Sequence, residues 1–393
     1  ARSAPAPDVI WPSFGVRPGL TPFQTLVELC KEGMRARQLG HLPEYVARLK
    51  NELKVIKTLD NSIYFLTLKA ILDVARRETL IGCGRGSGAG SLVNFVLGIT
   101  DVDPVPNKLI FARFMSLART DVPDIDVDVS DRDKVIDLLK KEFGEKTIVP
   151  ITNFNGLQMR SLVKDVSPLH GLEFDEVNKA TSNLDSEVKP HLQTGDDTKG
   201  SVQLTYEACM EHSPAFKALM EKYPAVDNDV KIIGRQPKAV SKHAGGIIVH
   251  DDPDGIMPLI SVRGEMKTPW SEGMAMKGLS PYGLIKYDLL AIDTLRIMER
   301  CIRRILKRHH GVRNPIFSQI LDWYNENLTP SRIDPALQDV FQHVYLDGRF
   351  AGIFQYTNPS TQRFITDLKP TCVHDLAAAT AIYRPGPLAA DVD

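Results

Sequence analysis

Residues 120–130 read TDVPDIDVDVS, and the way this stretch folds decides the architecture around it. As a β-strand it puts residues two apart on a common face. Asp124, Asp126 and Asp128 then share one side, and Ile125, Val127 and Val129 the other. The apolar side can be buried. The acidic side stacks three carboxylates roughly 6–7 Å apart, given a rise of about 3.3 Å per residue. Such a row repels itself unless cations sit on it, and hard oxygen ligands select Mg²⁺ or Mn²⁺. A solvated strand face is the plainer reading of a single Asp-x-Asp, because Asp is common on surfaces. Three in alternation weaken that reading, since Asp disfavours strands.

At roughly 150 residues per domain, a chain of 393 residues suggests two or three domains with real cores. The hydrophobic fraction of 43% and charged fraction of 25% are those of a soluble globular protein. No apolar run is long enough to span a membrane. Prolines interrupt the first residues where a signal peptide needs an apolar core, so export is not expected. The chain lacks an initiator Met and stops just after a turn signal, which reads as a piece of something longer. The five cysteines, Cys30, Cys83, Cys209, Cys301 and Cys372, form no Cys-x-x-Cys pair. That argues against a zinc site or a disulfide framework and fits a reducing cytoplasm. A formal net charge of −1 means that any nucleic-acid surface must be local.

Upstream of the acidic strand, helical patterns span residues 21–37, 42–57 and 62–77, with Thr21 as N-cap and Pro22 at the first position of the first. They read as scaffold without chemistry. A short strand, Glu78 to Ile81, leads into GCGRGSGAGS (82–91) and a helix over 92–99. Strand, glycine-rich turn and helix make an anion site, because backbone N–H groups can approach phosphate oxygens at a positive helix end. Arg85 adds a cation, and Ser87 and Ser91 add hydroxyls. The loop has no Walker A lysine, and no second strand ending in an acid follows to make a dinucleotide fold. A purely structural glycine turn is the alternative. Farther on, LIFARFMS places Arg113 between apolar neighbours. A Gly-Ser loop followed by Asp-x-Asp on a strand is one layout for nucleotidyl transfer. The loop grips a triphosphate, and the acids hold two metals about 3.5–4 Å apart.

Downstream, residues 131–144 read as a helix and 152–240 as a helix-rich polar insertion, in which 183–201 (NLDSEVKPHLQTGDDTKGS) read as loop. Lys231, Arg235, Lys238 and Lys242 form a modest basic run; a solvated surface explains it as well as phosphate contact does. SKHAGGIIVHD reads as a glycine turn and a strand from Ile247 to His250, with His243 and His250 structural. In GLIKYDLL, Gly283 to Leu290 form a second strand with Leu284, Lys286 and Asp288 on one face; taken alone, Lys286 and Asp288 suggest an ion pair. The helix over 293–308 divides its faces. Arg296, Arg300, Arg303, Arg304, Lys307 and Arg308 line one side, suited to a phosphate backbone or to solvent.

GRGSGAGS with PDIDVD, LIKYDLLAIDTL, KHAGG, IFQ and YRPGPL resembles the palm and early fingers of C-family bacterial replicative DNA polymerases. The motifs run in that family's order over nearly all of 82–388. The resemblance implies a mixed α+β fold: a polymerase-beta-like nucleotidyltransferase palm, a helical thumb insertion and truncated helical fingers. The implied segments are palm at 1–151 (1–20 a linker) and 243–290, thumb at 152–242 and fingers at 291–393. It implies DNA-templated addition of dNTPs to a primer 3′ end with two Mg²⁺ or Mn²⁺ ions. The implied catalytic and metal acids are Asp124, Asp126 and Asp288, with Asp128 supporting. Arg85, Gly86, Ser87, Arg113, Lys286, Arg384 and, less surely, Arg363 would serve the nucleotide, and the basic helix the DNA. Implied partners are primer–template DNA and dNTPs, with a sliding clamp and a proofreading exonuclease through regions outside this chain; no membrane is implied. The implied location is the cytoplasm of a bacterium, or of a bacterial host for a phage-encoded member. A nucleotidyltransferase acting on another acceptor, and a non-catalytic DNA-binding fragment, are the alternatives.

Overall fold

A computed structural model describes residues 9–118, 122–192, 204–234, 236–272 and 277–383. The chain divides into two units. The first holds the described residues of 9–151, 243–272 and 277–376; the second holds those of 152–242 and 377–383. Helices and small sheets mix throughout, and among the described residues no helix is long and apolar enough to cross a membrane.

The first unit begins with α1 (Pro22–Ala36), α2 (Pro43–Thr58) and α3 (Ser62–Ala75). Thr21 and Gln24 close a reciprocal capping box at the start of α1, which satisfies two otherwise orphaned N–H groups. A 3₁₀ turn over Gly86–Gly90 leads to α4 (Leu92–Leu97), then β1 (Asp126–Val129), α5 (Arg132–Phe143) and β2 (Ile148–Gly156). The second unit is built on α6 (Met159–Val166), α7 (Phe174–Thr181), α8 (Leu184–Val188), α9 (Tyr206–His212), α10 (Pro214–Lys222) and α11 (Pro224–Ile233). The chain continues through β3 (Pro237–Val249), the hairpin β4 (Ile260–Val262) and β5 (Glu265–Lys267), and β6 (Lys286–Ala291). It ends with α12 (Asp293–His309), α13 (Phe317–Asn327), α14 (Gln338–Val340), a π-helical turn over Phe341–Leu346, α15 (Pro359–Leu368) and α16 (Val373–Ile382).

Four strands form the main sheet in the order β1-β6-β3-β2. β1 and β6 are parallel, with Asp126 opposite Asp288; β6 and β3 are antiparallel, with Gly246 opposite Asp288. One face of this sheet joins the core shared by α1–α5, through Ile125, Val127, Val129, Tyr287 and Leu289. Burying each such side chain stabilises the fold by about 1.5–3 kcal/mol. That outweighs the poor strand propensity of the alternating aspartates, a scale that spans about 1 kcal/mol. Alternation therefore prevails over composition.

Several expectations are corrected. β1 is shorter than residues 120–130, because its ladder to β6 covers only Asp126–Val129; Asp124 precedes it. Residues 78–81 are not a strand: only Ile81 bridges to Val129, with Leu80 and Ser130 exchanging hydrogen bonds. The KHAGG glycines lie inside β3 rather than in a turn. Gly245 and Gly246 face β6 so closely that a Cβ would meet Leu290 at 2.7 Å and Lys286 at 3.2 Å respectively, which is where a strand accepts glycine. Within 183–201, residues 184–188 are helical because Leu184 and Val188, one turn apart, are both fully buried.

Tyr64 in α3 ties this scaffold to the acidic stretch. Its ring stacks on Tyr287 at 5.2 Å, and its hydroxyl accepts the buried Ile125 N–H at 2.9 Å. Tyr64→Phe leaves that N–H without an acceptor, so a loss of about 1–3 kcal/mol is expected in denaturant unfolding; an unchanged midpoint would show that the bond contributes nothing.

Candidate active site

The register of β1 and β6 sets Asp126 and Asp288 side by side on the face away from the core, and Asp124 joins them from the segment ahead of β1. One oxygen from each of Asp124, Asp126 and Asp288 lies within 4.8 Å of the other two. Asp288 is 5% exposed, and its Oδ1 is buried without a hydrogen-bond partner. Three converging carboxylates with an unsatisfied buried oxygen fit a hard divalent cation. Asp128 takes no part in this cluster. Its Oδ1 accepts from Arg85 Nη1 at 3.1 Å.

Lys286 lies two residues from Asp288 on the same face, and its Nζ reaches Asp288 Oδ2 at 2.5 Å. Burial opposes its charge, but the Asp288 hydrogen bond and the fields of Asp288, Asp124 and Asp126 prevail and raise its pKa. For Asp124 the pKa is raised by desolvation and by Asp288 and Asp126, against the pull of Lys286. Asp126 is raised likewise, with Arg85 and Lys286 opposing. Desolvation also raises Asp128, against Arg85.

The glycine loop sits beside the acids. Gly86 has φ +59° with open space around its Cα, and Gly86 and Ser87 are both exposed. Ser87, Arg113 and Asp124 line one cavity of about 190 Å³, floored by Leu59, Phe114 and Val122. Arg85 stands 5.4 Å from the ring of Phe354, in the IFQ motif. The α4 N-terminus does not supply the expected anion site. The buried carboxylate of Glu52 already accepts from Leu92 N and Val93 N at 3.0 Å and from Ser91 Oγ at 2.9 Å. Sequence patterns did not reveal this, because Glu52 lies in a helix that reads as scaffold.

Other expected groups are dispersed. Arg363 is exposed on α15; Arg384 and Arg235 lie outside the described residues. On α12, Leu295, Ile302 and Leu306 are buried, and Arg300, Arg304, Lys307 and Arg308 are exposed. Arg296 instead reaches Ser130 O and Asp293, and Arg303 binds Pro315 O and Glu299. In the second unit Lys231 pairs with Asp227 at 2.6 Å and Lys238 pairs with Asp165. Arg132 was not anticipated, and it acts beside His243, which the sequence reads as structural. Arg132, 6% exposed, donates to Gly246 O at 3.1 Å, and His243 Nδ1 accepts from Gly246 N at 2.7 Å. Together they pin the strand opposite Asp288. An arginine after a helix cap carries no sequence sign of burial.

A carboxyl raised on folding binds more protons in the fold than in the unfolded chain between its two pKa values. Stability therefore falls as pH rises through that window. Replacing Asp126 by Asn removes this penalty. The Asp126→Asn protein is expected to melt higher than wild type without metal at neutral pH, by a margin that closes in acid, and to lose most of the Mg²⁺-induced rise in Tm. Thermal melts with and without MgCl₂ check both, and equal Mg²⁺ responses would count against the cluster as a metal site.

Comparison with known proteins shows the family. Residues 24–291 match the family model of the bacterial DNA polymerase III alpha NTPase domain, and 296–393 match that of the bacterial DNA polymerase III alpha subunit finger domain. The chain is 29% identical to DNA polymerase III subunit alpha of Aquifex aeolicus over 96% of its own length and 33% of that protein's. With the Bacillus subtilis protein of the same name it shares 29% identity over 96% of itself and 32% of the relative. With that of Staphylococcus aureus MRSA252 it shares 31% over 88% and 30%. The chain thus spans about a third of the length of the curated relatives it matches. It belongs to the bacterial DNA polymerase III alpha family.

Proposed function

We propose that this chain is the nucleotidyl-transfer core of a DNA-directed DNA polymerase that adds dNTPs to a primer 3′ end under template direction in replication. The observation that carries this reading is the convergence of Asp124, Asp126 and Asp288 beside Ser87 and Arg113. Family membership supports the same reading.

In it, residues 1–151 and 243–290 form a polymerase-beta-like palm, 152–242 the thumb and 291–393 the fingers. Asp124, Asp126 and Asp288 hold the metal. Two Mg²⁺ ions, or Mn²⁺ in their place, would activate the primer hydroxyl and neutralise the leaving pyrophosphate when bound. The backbone of Gly86 and the hydroxyl of Ser87 donate to the triphosphate, and Arg113, which lines the same cavity as Ser87, adds charge. Lys286 and Arg85, paired with Asp288 and Asp128, would be free to meet phosphate oxygens with the acids engaged by metal. The nucleophile is the primer hydroxyl, so no residue needs to form a covalent intermediate. Arg384 reaches the nucleotide by resemblance alone. The exposed Arg300, Arg304, Lys307 and Arg308 of α12 meet the DNA backbone. A sliding clamp and a proofreading exonuclease would join through other parts of the protein, in the bacterial cytoplasm.

Asp126→Asn in the complete gene product is expected to abolish Mg²⁺-dependent primer extension while primer–template binding persists. Extension at wild-type rate would sink the assignment. Extension without template would favour a transferase acting on another acceptor. Replacing Arg300, Arg304, Lys307 and Arg308 by Gln should flatten the salt dependence of DNA binding, by roughly one unit of slope for each phosphate that is no longer neutralised. An unchanged slope would remove α12 from the interface.

A further inference from the structure

The distance from Ser87 to the acids is set by where the glycine loop rests. At Gly88 the loop lies against Ile125, between Asp124 and Asp126, and a Cβ there would stand 3.4 Å from the Ile125 side chain. Three braces hold it from behind. Asn94 Nδ2 donates to Gly88 O at 2.9 Å. Arg48 Nη2 donates to Gly90 O at 2.6 Å and to Leu109 O at 2.9 Å, so one guanidinium joins the loop to the segment that carries Arg113. Glu52, 1% exposed, completes the arrangement. Its Oε1 accepts from Leu92 N and Arg48 Nε, both at 3.0 Å, and its Oε2 from Ser91 Oγ at 2.9 Å and Val93 N at 3.0 Å.

We propose that Glu52 and Arg48 are positioning residues for the incoming nucleotide, an inference that rests on the polymerase reading above. Glu52 fills, with the protein's own carboxylate, the helix end that a phosphate would otherwise approach. It locks Gly90–Ser91 against α4 and leaves Gly86–Ser87 as the open front of the loop. Arg48 ties the loop that carries Ser87 to the segment that carries Arg113, two residues that line one cavity. Neither residue touches the acids, so their effect falls on nucleotide placement and not on metal binding. In Glu52→Gln the amide N–H groups oppose the Val93 N–H, and Arg48 loses its counter-ion. Arg48→Lys keeps a charge beside Glu52 but cannot span both carbonyls at once.

The test is steady-state primer extension by the complete gene product at varied dNTP, below the melting temperature of each variant. Glu52→Gln is expected to raise the KM for dNTP by at least about tenfold, while the primer–template Kd and the Mg²⁺-induced rise in Tm stay at wild-type values. Arg48→Lys should give a smaller rise in the same direction, and it carries the test if Glu52→Gln does not fold. A folded variant with lowered Tm and wild-type KM overturns the inference and leaves the polymerase reading intact. Wild-type protein that fails to extend primers overturns that reading instead. Titration of a fluorescent dNTP analogue then decides the positioning role, with weaker binding by Glu52→Gln supporting it and equal binding overturning it.

Discussion

Carboxylates that share so small a space repel one another, and the surrounding structure exists in large part to hold them there. Two like charges about 4 Å apart near a protein surface repel by roughly 4 kcal/mol. Asp126 and Asp288 cannot relax away, because each is fixed by the parallel ladder of β1 and β6. Partial relief comes from side chains arranged on the same face: Lys286 on Asp288 and Arg85 on Asp128. The missing side chains at Gly245 and Gly246 make room for the Lys286–Asp288 pair, since any Cβ there would collide with β6 or with its neighbours.

The apolar side of the same strands carries the opposite load. Tyr287 alternates with Lys286 and Asp288, so the geometry that turns the acids away from the core also drives Tyr287 into it against Tyr64. Ser130, just after β1, donates its hydroxyl to Glu299 and accepts at its carbonyl from Arg296, and these contacts fasten α12 beside the strand. Arg296 and Arg303 are fastening groups, interleaved along the helix with the exposed Arg300, Arg304, Lys307 and Arg308. A charged helical face mixes anchors with ligands, and helical spacing alone does not separate them.

What was legible in the sequence follows from period. Alternation in PDIDVD and LIKYDLL foretold which side chains share a face, because a strand has only two. Thr21 and Pro22 foretold the start of α1 for a similarly local reason. What stayed hidden depends on contacts distant in sequence. Nothing near Glu52 signals that it caps a helix some forty positions later. KHAGG reads as a turn because glycine favours turns; only the presence of β6 alongside turns it into a strand. The acidic stretch likewise looks longer than it is, since a strand ends where its partner ends, and the partner is remote.

Two buried carboxylates of this unit, Glu52 and Asp288, differ in what surrounds them. Glu52 is nearly inaccessible and each of its oxygens accepts two donors. Burial raises its pKa while those donors lower it, and nothing remains for a ligand to satisfy. Asp288 is as deep, yet one oxygen has a lysine and the other has no partner. An unsatisfied buried acceptor costs about 1–3 kcal/mol, a penalty that packing alone would remove by placing a donor nearby. The strand opposite offers glycine at that place, and the Arg132 guanidinium and the Gly246 amide donate to Gly246 O and His243 Nδ1. The fold saturates one carboxylate and leaves Oδ1 of the other without a donor, in a position that could take a cation.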